Sequence, residues 1–236
     1  MLKVVLNDNK NNEIAIVIPL YNEEFVIEGV LKELKSMYPQ FALIVVDDSS
    51  NDNSYSKACL EGIFLLKHTV NLGQGAALQT GIEYAIELGC KYVVTFDSDG
   101  QHDPKDIESF VNRLKMGDID IVLGSRFLGK TQNMPISKRY LLKLSRMFTW
   151  LTTGLWLTDS HNGFRAINIK RFPNFEIKQN RMAHASEIIN IIKTLEMRYE
   201  ELPCNIRYSE YSMGKGQSMW NSINIVFDYF VGNLMK

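Results

Sequence analysis

Five short apolar runs in this chain end abruptly in polar or charged residues: IAIVIP (14–19), ALIVVDD (42–48), GIFLLKH (62–68), KYVVTFDSDG (91–100) and DIDIVLGSRF (118–127). Runs of that length, bounded by turn residues, suit strands buried on both faces. Between them lie segments with a different period. Phe25, Val26, Val30, Leu31 and Leu34 recur at helical spacing over 23–35, and Leu78, Ile82, Ala85 and Ile86 do so within QGAALQTGIEYAIELG. Apolar strands alternating with amphipathic helices predict an α/β fold, a mostly parallel sheet covered on both sides. Such sheets bind ligands at the carboxyl ends of their strands. Here those ends carry PLYNEE, DDSS, DSDGQHD and GSR, so polar chemistry is expected along one edge.

The bulk properties exclude several classes. The chain has 236 residues, enough for one substantial core. Its formal net charge of −1 gives no general attraction for nucleic acid. Cys59, Cys90 and Cys204 are widely spaced and form no CxxC pair, which argues against a disulfide framework or zinc site and fits a reducing, cytoplasmic setting. The opening MLKVVLNDNKNNE is too polar for a signal peptide, and no apolar run is long enough to span a bilayer.

The second half is less regular. Residues 137–157 read as helical, with Lys138, Arg139, Lys143 and Arg146 interleaved with Leu141, Leu142, Leu144, Phe148 and Trp150, a composition suited to an interfacial helix. DSHNGFRAINIK (159–170) reads as a loop then a strand, 184–197 as a helix, and YEELPCNIRY as a late strand. We expect a catalytic domain over 1–218 and an amphipathic C-terminal helix over 219–236. The apolar faces of both helical segments would cover the domain itself, a dimer partner, or the inner face of a membrane.

FDSDGQHDP places Asp97, Asp99 and Asp103 within seven positions. Asp103 before Pro104, with Asp106 following, suits a helix start. That leaves Asp97, Asp99 and Gln101. A calcium loop counts Asp97, Asp99, Gln101 and Glu108 correctly but puts His102 where glycine is required, after a strand rather than a helix. A divalent cation holding a diphosphate fits better: residues i and i+2 leaving a strand converge if Gly100 lets the backbone turn, and hard oxygen ligands suit Mg²⁺ or Mn²⁺.

In order, VIPLYNEE, VVDDSSNDNS, NLGQGAALQTGIEYA, FDSDGQHDP, VLGSRF and DSHNGFRA resemble glycosyltransferase family 2 enzymes of the GT-A fold, nearest the dolichyl-phosphate mannosyltransferase-like, polyprenyl-phosphate glycosyltransferase branch. The resemblance covers roughly residues 13–218. It implies a nucleotide-diphosphate sugar donor, a divalent cation and inversion at the anomeric carbon. Carried over by position, Pro19, Tyr21 and Glu23 would line the nucleoside pocket and Asp48 would contact base or ribose. Asp97, Ser98 and Asp99 would face the diphosphate, with Asp97, Asp99 and Gln101 as metal ligands. Gly75, in the loop before a helix, is a donor-side candidate with a plain turn as the alternative. Arg126 would meet the phosphate or sugar, and a guanidinium past the fifth strand can grip phosphate bidentately; a surface ion pair with Asp120 or a neighbour is the alternative. His102 reads as a loop histidine satisfied by backbone.

On the acceptor side, DSHNGFRA matches the family's segment with Asn162 where serine is frequent, and makes Asp159 and Arg165 the chemical candidates. A lipid-phosphate acceptor is already a nucleophile, so Arg126, Arg165 and Lys215 need only position and neutralise it. A saccharide hydroxyl would need a carboxylate base, Asp159 first and Glu187 second. The chain departs from the branch where an arginine often precedes a G-x-S motif: YSMGKGQS has Met213 there and Lys215 beside the glycine. A nucleotidyltransferase and a non-catalytic nucleotide-sugar-binding module are the rival readings from other classes.

Overall fold

The computed structural model describes residues 12–132, 146–147, 149–151, 153–181 and 183–207. Lys215, most of the basic cluster at 138–146 and the expected helix over 219–236 lie outside the described residues.

The apolar runs form strands β1 (Ile14–Leu20), β2 (Ala42–Asp47), β3 (Ile63–Lys67), β4 (Tyr92–Thr95) and β5 (Ile121–Ser125). Between and after them come α1 (Ile27–Met37), a short α2 (Ser54–Ala58), α3 (Gln74–Glu87) and α4 (Asp106–Lys115). The second half adds β6 (Thr131–Gln132), β7 (Arg165–Asn168), α5 (His184–Thr194), β8 (Tyr199–Pro203) and β9 (Ile206–Arg207). Seven strands make one sheet in the order β3-β2-β1-β4-β7-β5-β8, while β6 and β9 pair separately.

β1 runs parallel to β2 and β4, β2 to β3, and β5 to β8. β7 alone is antiparallel to its neighbours, β4 and β5. Its direction follows from its approach: the chain leaves the carboxyl edge after β5 and re-enters the sheet there, so β7 must run backwards. Its first residue, Arg165, therefore sits toward the carboxyl ends of β4 and β5, pairing with Thr95, the last residue of β4, on one side and with Leu123 of β5 on the other.

Period-two alternation divides the core. Ile14, Ile16, Ile18 and Leu20 of β1 pack with Ile27 and Leu31 of α1 and Ile107 and Phe110 of α4 on one face. Ala15 and Val17 face Leu78 and Ile82 of α3, with Ile188 and Ile192 of α5, on the other. Each large aliphatic side chain so buried contributes roughly 1.5–3 kcal/mol. α3 approaches β1 closely at Gly81, where a Cβ would fall 2.3 Å from Val17 Cγ1.

Two expectations need adjustment. YEELPCNIRY is two strands, because Pro203 has no N–H to continue a ladder and Asn205 is captured by Asp106, whose carboxylate accepts from its backbone N (2.6 Å) and Nδ2 (2.9 Å). Asp103 caps a turn ahead of α4, accepting Lys105 N at 3.1 Å, while Asp106 spends its carboxylate on Asn205 from within the first helical turn.

Candidate active site

The carboxyl edge gathers the polar strand ends as expected. After β1, Asn22 adopts a positive φ of 55° and Ser49, after β2, one of 62°. The two loops are stitched together: Asn22 N donates to Ser50 Oγ (3.0 Å), Asn51 N to Asn22 Oδ1 (2.9 Å) and Glu23 N to Ser54 Oγ (2.7 Å). Pro19 is buried within β1, Tyr21 is exposed beyond it, and Glu23 is half-buried with its carbonyl receiving the first N–H groups of the α1 approach.

Asp48 and Gly75 build the next wall. The buried Asp48 carboxylate accepts Leu72 N (2.9 Å) and Gly73 N (2.6 Å) and meets His68 Nδ1 at 2.7 Å; Asn71 Nδ2 donates to its carbonyl. His68 Nε2 reaches Thr80 Oγ1 on α3 at 3.0 Å. A Cβ on Gly75 would lie 2.0 Å from Gln179 O, and this close approach lets Ala76 N donate to Asn180 O at 3.2 Å. Both residues thus face protein, fixing the 71–75 loop at the mouth of the site.

Past β4, Asp97 is half-buried. His102 Nε2 lies 3.2 Å from one of its oxygens and Gln74 Nε2, at the start of α3, donates to the other at 3.0 Å. Burial pushes the Asp97 pKa up, but the His102 hydrogen bond and the charges of His102, Arg165 and His184 outweigh it and hold the carboxyl below its usual range. Asp99 behaves oppositely: burial first, then the charge of Asp97, with Glu23 adding to it, push it up to about 6 despite the backbone N–H of Gln101. Gln101 donates to Asp99 through N (3.0 Å) and Nε2 (2.6 Å), and Gly100 makes the turn with φ 71°. Ser98 is buried between the two acids. His102 is not satisfied by backbone: its ring is buried edge-on to Phe96 and Phe164, and Nδ1 has no hydrogen-bond partner.

On the far side of the edge, Arg126 follows β5. Its N (3.1 Å) and Nε (2.5 Å) both donate to Asp159 Oδ2, and Nη2 donates to His161 O at 3.1 Å. Asp120, the alternative partner, lies at the opposite end of β5 with Arg198 and Arg171. Arg165 is 2% exposed, and its Nη1 makes no hydrogen bond to protein. Burial lowers its pKa to about 10, opposed by the charges of Asp97 and Asp159, so it stays protonated at neutral pH. His161 and His184 flank it; burial drives each down to about 4, the charge of Arg165 adding to the fall, so both are neutral. Glu187 accepts Lys178 N (3.0 Å) and Gln179 N (2.7 Å) and holds that loop.

Gln74, His68, His184 and Glu201 belong to this edge and were not singled out from the sequence. Gln74 stood in a recognisable loop-to-helix junction; the others carry no local signal.

Among the described residues no group of three or more His, Cys, Asp or Glu side chains forms a ready-made metal cage. Mg²⁺ and Mn²⁺ need less, commonly one or two carboxylates completed by substrate phosphates. Asp97 and Asp99 meet that demand, and the raised pKa of Asp99 marks a carboxylate that an adjacent cation would relieve. The residues present fit such an ion.

The sequence model described as Glycosyl transferase family 2 matches residues 15–175. The chain belongs to glycosyl transferase family 2. Within this family, a protein of Methanocaldococcus jannaschii described as uncharacterized is 36% identical over 227 residues, covering 94% of this chain and 93% of that protein. The UDP-N-acetylglucosamine–dolichyl-phosphate N-acetylglucosaminyltransferase of Methanococcus voltae is 32% identical over 235 residues, 91% of this chain and 93% of the relative. Glucosyl-3-phosphoglycerate synthase from Mycobacterium tuberculosis, solved with Mn²⁺ and UDP-glucose, superposes with a TM-score of 0.71 at 16% identity over 95% of this chain and 79% of that one. The family 2 glycosyltransferase described here thus has the GT-A fold, as its motifs implied.

Proposed function

We propose that this glycosyltransferase moves a sugar from a nucleotide-diphosphate donor to a polyprenyl phosphate, with a divalent cation and with inversion. The commitment of both candidate bases carries the choice of acceptor. Asp159 is engaged by Arg126 N and Nε, and Glu187 by two backbone N–H groups. A hydroxyl acceptor needs a carboxylate free to take its proton. A phosphate monoester needs none, only cations to hold it, and Arg126 and the buried Arg165 stand at that end of the edge. The names of the relatives, among them the undecaprenyl-phosphate mannosyltransferase of Micrococcus luteus, support the same acceptor class.

In the reaction, a phosphate oxygen of the acceptor forms a bond to the anomeric carbon while the bond from that carbon to the diphosphate oxygen breaks. The electron pair leaves on the nucleoside diphosphate, and one displacement inverts the centre. Asp97, Asp99 and Gln101 would hold the cation, which supplies positive charge beside the leaving diphosphate. His102 and Gln74 hold the Asp97 carboxylate at both oxygens. Arg165, sequestered from water, places a fixed charge between donor and acceptor halves, where a preorganised cation costs no reorganisation during transfer.

Peripheral membrane contact follows from such an acceptor. No helix among the described residues is long and apolar enough to cross a membrane. Met147, Trp150, Leu151 and Trp156 are exposed, and the Arg146 guanidinium lies 4.3 Å from the Trp156 ring centre, a grouping suited to an interface.

The experiment is transfer of labelled sugar from a panel of nucleotide sugars to a short polyprenyl phosphate, with Mg²⁺, Mn²⁺ or chelator. A solvent-extractable glycosyl phosphate of inverted configuration, formed with nucleoside diphosphate and only with cation, is expected. Label appearing solely in a water-soluble saccharide, or release of pyrophosphate, would overturn the reading.

A further inference from the structure

β8 contains two adjacent glutamates that alternation sends to opposite faces. Glu200 meets Arg113 of α4, whose Nε donates to it at 2.7 Å. Glu201, opposite Leu123 of β5, points to the other face and is half-buried. There its carboxylate accepts three donors from one loop: Thr158 N at 2.8 and 2.9 Å to its two oxygens, Thr158 Oγ1 at 2.8 Å and Asp159 N at 3.0 Å.

The donors set the proton order of a longer chain. An ionised carboxylate only accepts, so the Thr158 hydroxyl proton is directed at Glu201. Ser125 Oγ, fully buried at the end of β5, lies 2.6 Å from Thr158 Oγ1 and must therefore donate its own proton to Thr158. Phe127 N in turn donates to Ser125 Oγ at 3.3 Å. Every link points toward Glu201, and the chain spans both sides of Arg126. The next residue along, Asp159, holds Arg126 N and Nε, and His161 O takes Nη2. Arg126 is thus located by the 159–161 segment, and Glu201 locates that segment.

We propose that Glu201 is a positioning residue of the acceptor side, holding the 158–161 segment so that Asp159 sets the Arg126 guanidinium where the acceptor phosphate arrives. This rests on the phosphate-acceptor reading above. Glu201 touches no substrate. Its contribution is orientation, in which displacement of a charged group by about 1 Å can cost around 100-fold in rate. Residues stabilising the donor side do not use it: Asp97 is held by His102 and Gln74, and the 71–75 loop by Asp48.

The substitution Glu201→Gln keeps size and replaces one acceptor oxygen with an amide that faces backbone N–H donors. With the full chain, we expect transfer to short polyprenyl phosphate to fall at least tenfold, with KM for that acceptor raised about fivefold or more. The dissociation constant of nucleoside diphosphate with Mn²⁺, by calorimetry, should stay within twofold. Glu201→Asp, which retains the charge but shortens the reach, should recover part of the loss. Thr158→Val removes one link while leaving the glutamate, and should show the same acceptor-selective defect if Glu201→Gln is too poorly folded to measure. Unchanged transfer in both Glu201→Gln and Thr158→Val, or loss of donor affinity in step with transfer, would overturn the assignment. Failure of the wild-type protein to glycosylate polyprenyl phosphate at all would instead remove the acceptor reading on which it rests.

Discussion

Gly163 faces Asp97 so closely that a Cβ on the glycine would lie 2.4 and 2.7 Å from the two carboxylate oxygens. The loop entering β7 and the loop leaving β4 meet there with no room for a methyl group, and Thr95 Oγ1 fastens the contact by donating to Gly163 O at 2.6 Å.

Gly163→Ala should therefore act on Asp97 rather than on the core. The carboxylate must swing away from His102 and Gln74, so nucleoside diphosphate with Mn²⁺ should bind about tenfold or more weakly. Calorimetry reads the affinity; a thermal midpoint within a few degrees of wild type would confirm that the fold survives.

Asp99→Asn should separate stability from function. In metal-free protein at pH 7, Asp99 is ionised against burial and the charge of Asp97, its pKa being raised to about 6 from 3.8. Asparagine removes that cost, for a gain on the order of 1–3 kcal/mol at about 1.4 kcal/mol per pKa unit. With Mn²⁺ and nucleoside diphosphate the order should reverse, because only wild type gains from the ion. Thermal melts with and without both ligands test this; a ligand-induced rise in the variant equal to that of wild type would remove Asp99 from the site.

Arg165→Met should lower transfer by roughly 100-fold or more, the scale of losing one preorganised electrostatic group. Stability should stay near wild type, because relief of a buried guanidinium whose Nη1 is unpartnered is offset by loss of the charge that helps keep Asp97 ionised. Arg165→Lys restores charge without the planar fork and should recover little. Parallel kinetics and denaturant melts distinguish this from simple unfolding.

The pH dependence of stability has opposing contributions. His161 and His184 have pKa values lowered from 6.5 to about 4, so each contributes stability that is complete above pH 6.5 and lost as pH falls toward 4. Asp99, raised, contributes the reverse: stability gained as pH falls through 6 toward 4. The two large histidine shifts, set against Asp99 and the raised Asp106, predict net loss on acidification of the metal-free protein over pH 6.5–4. His184→Asn should flatten that loss and Asp99→Asn steepen it, as read from urea midpoints across the range.

Much of the fold was legible because its determinants are local. The apolar runs at 14–19, 42–48, 62–68, 91–100 and 118–127 each contain a strand, and their polar ends do share an edge. Asp97 and Asp99 stand out as acids at a strand end, whereas Arg126, Asp159 and Arg165 are candidates through the motifs GSRF and DSHNGFRA. What stayed hidden depends on contacts far along the chain. Glu201 looks like any strand glutamate until Thr158 is beside it, and Gly75 looks like a phosphate loop until Gln179 closes over it. His102 reads in sequence as a loop histidine satisfied by backbone, and only its burial between Phe96 and Phe164 sets it against Asp97.

The reversed strand has a consequence for how such a protein can change. Because β7 begins where its neighbours finish, the excursion over 127–164 departs and returns at two fixed anchors, Arg126 and Arg165. Apart from residues 158–163, which hold Arg126 and touch Asp97 and Thr95, segments between those anchors can lengthen, shorten or be exchanged while the two guanidinium groups keep their places. On the proposed reading, recognition of what receives the sugar can then drift with little effect on recognition of what delivers it.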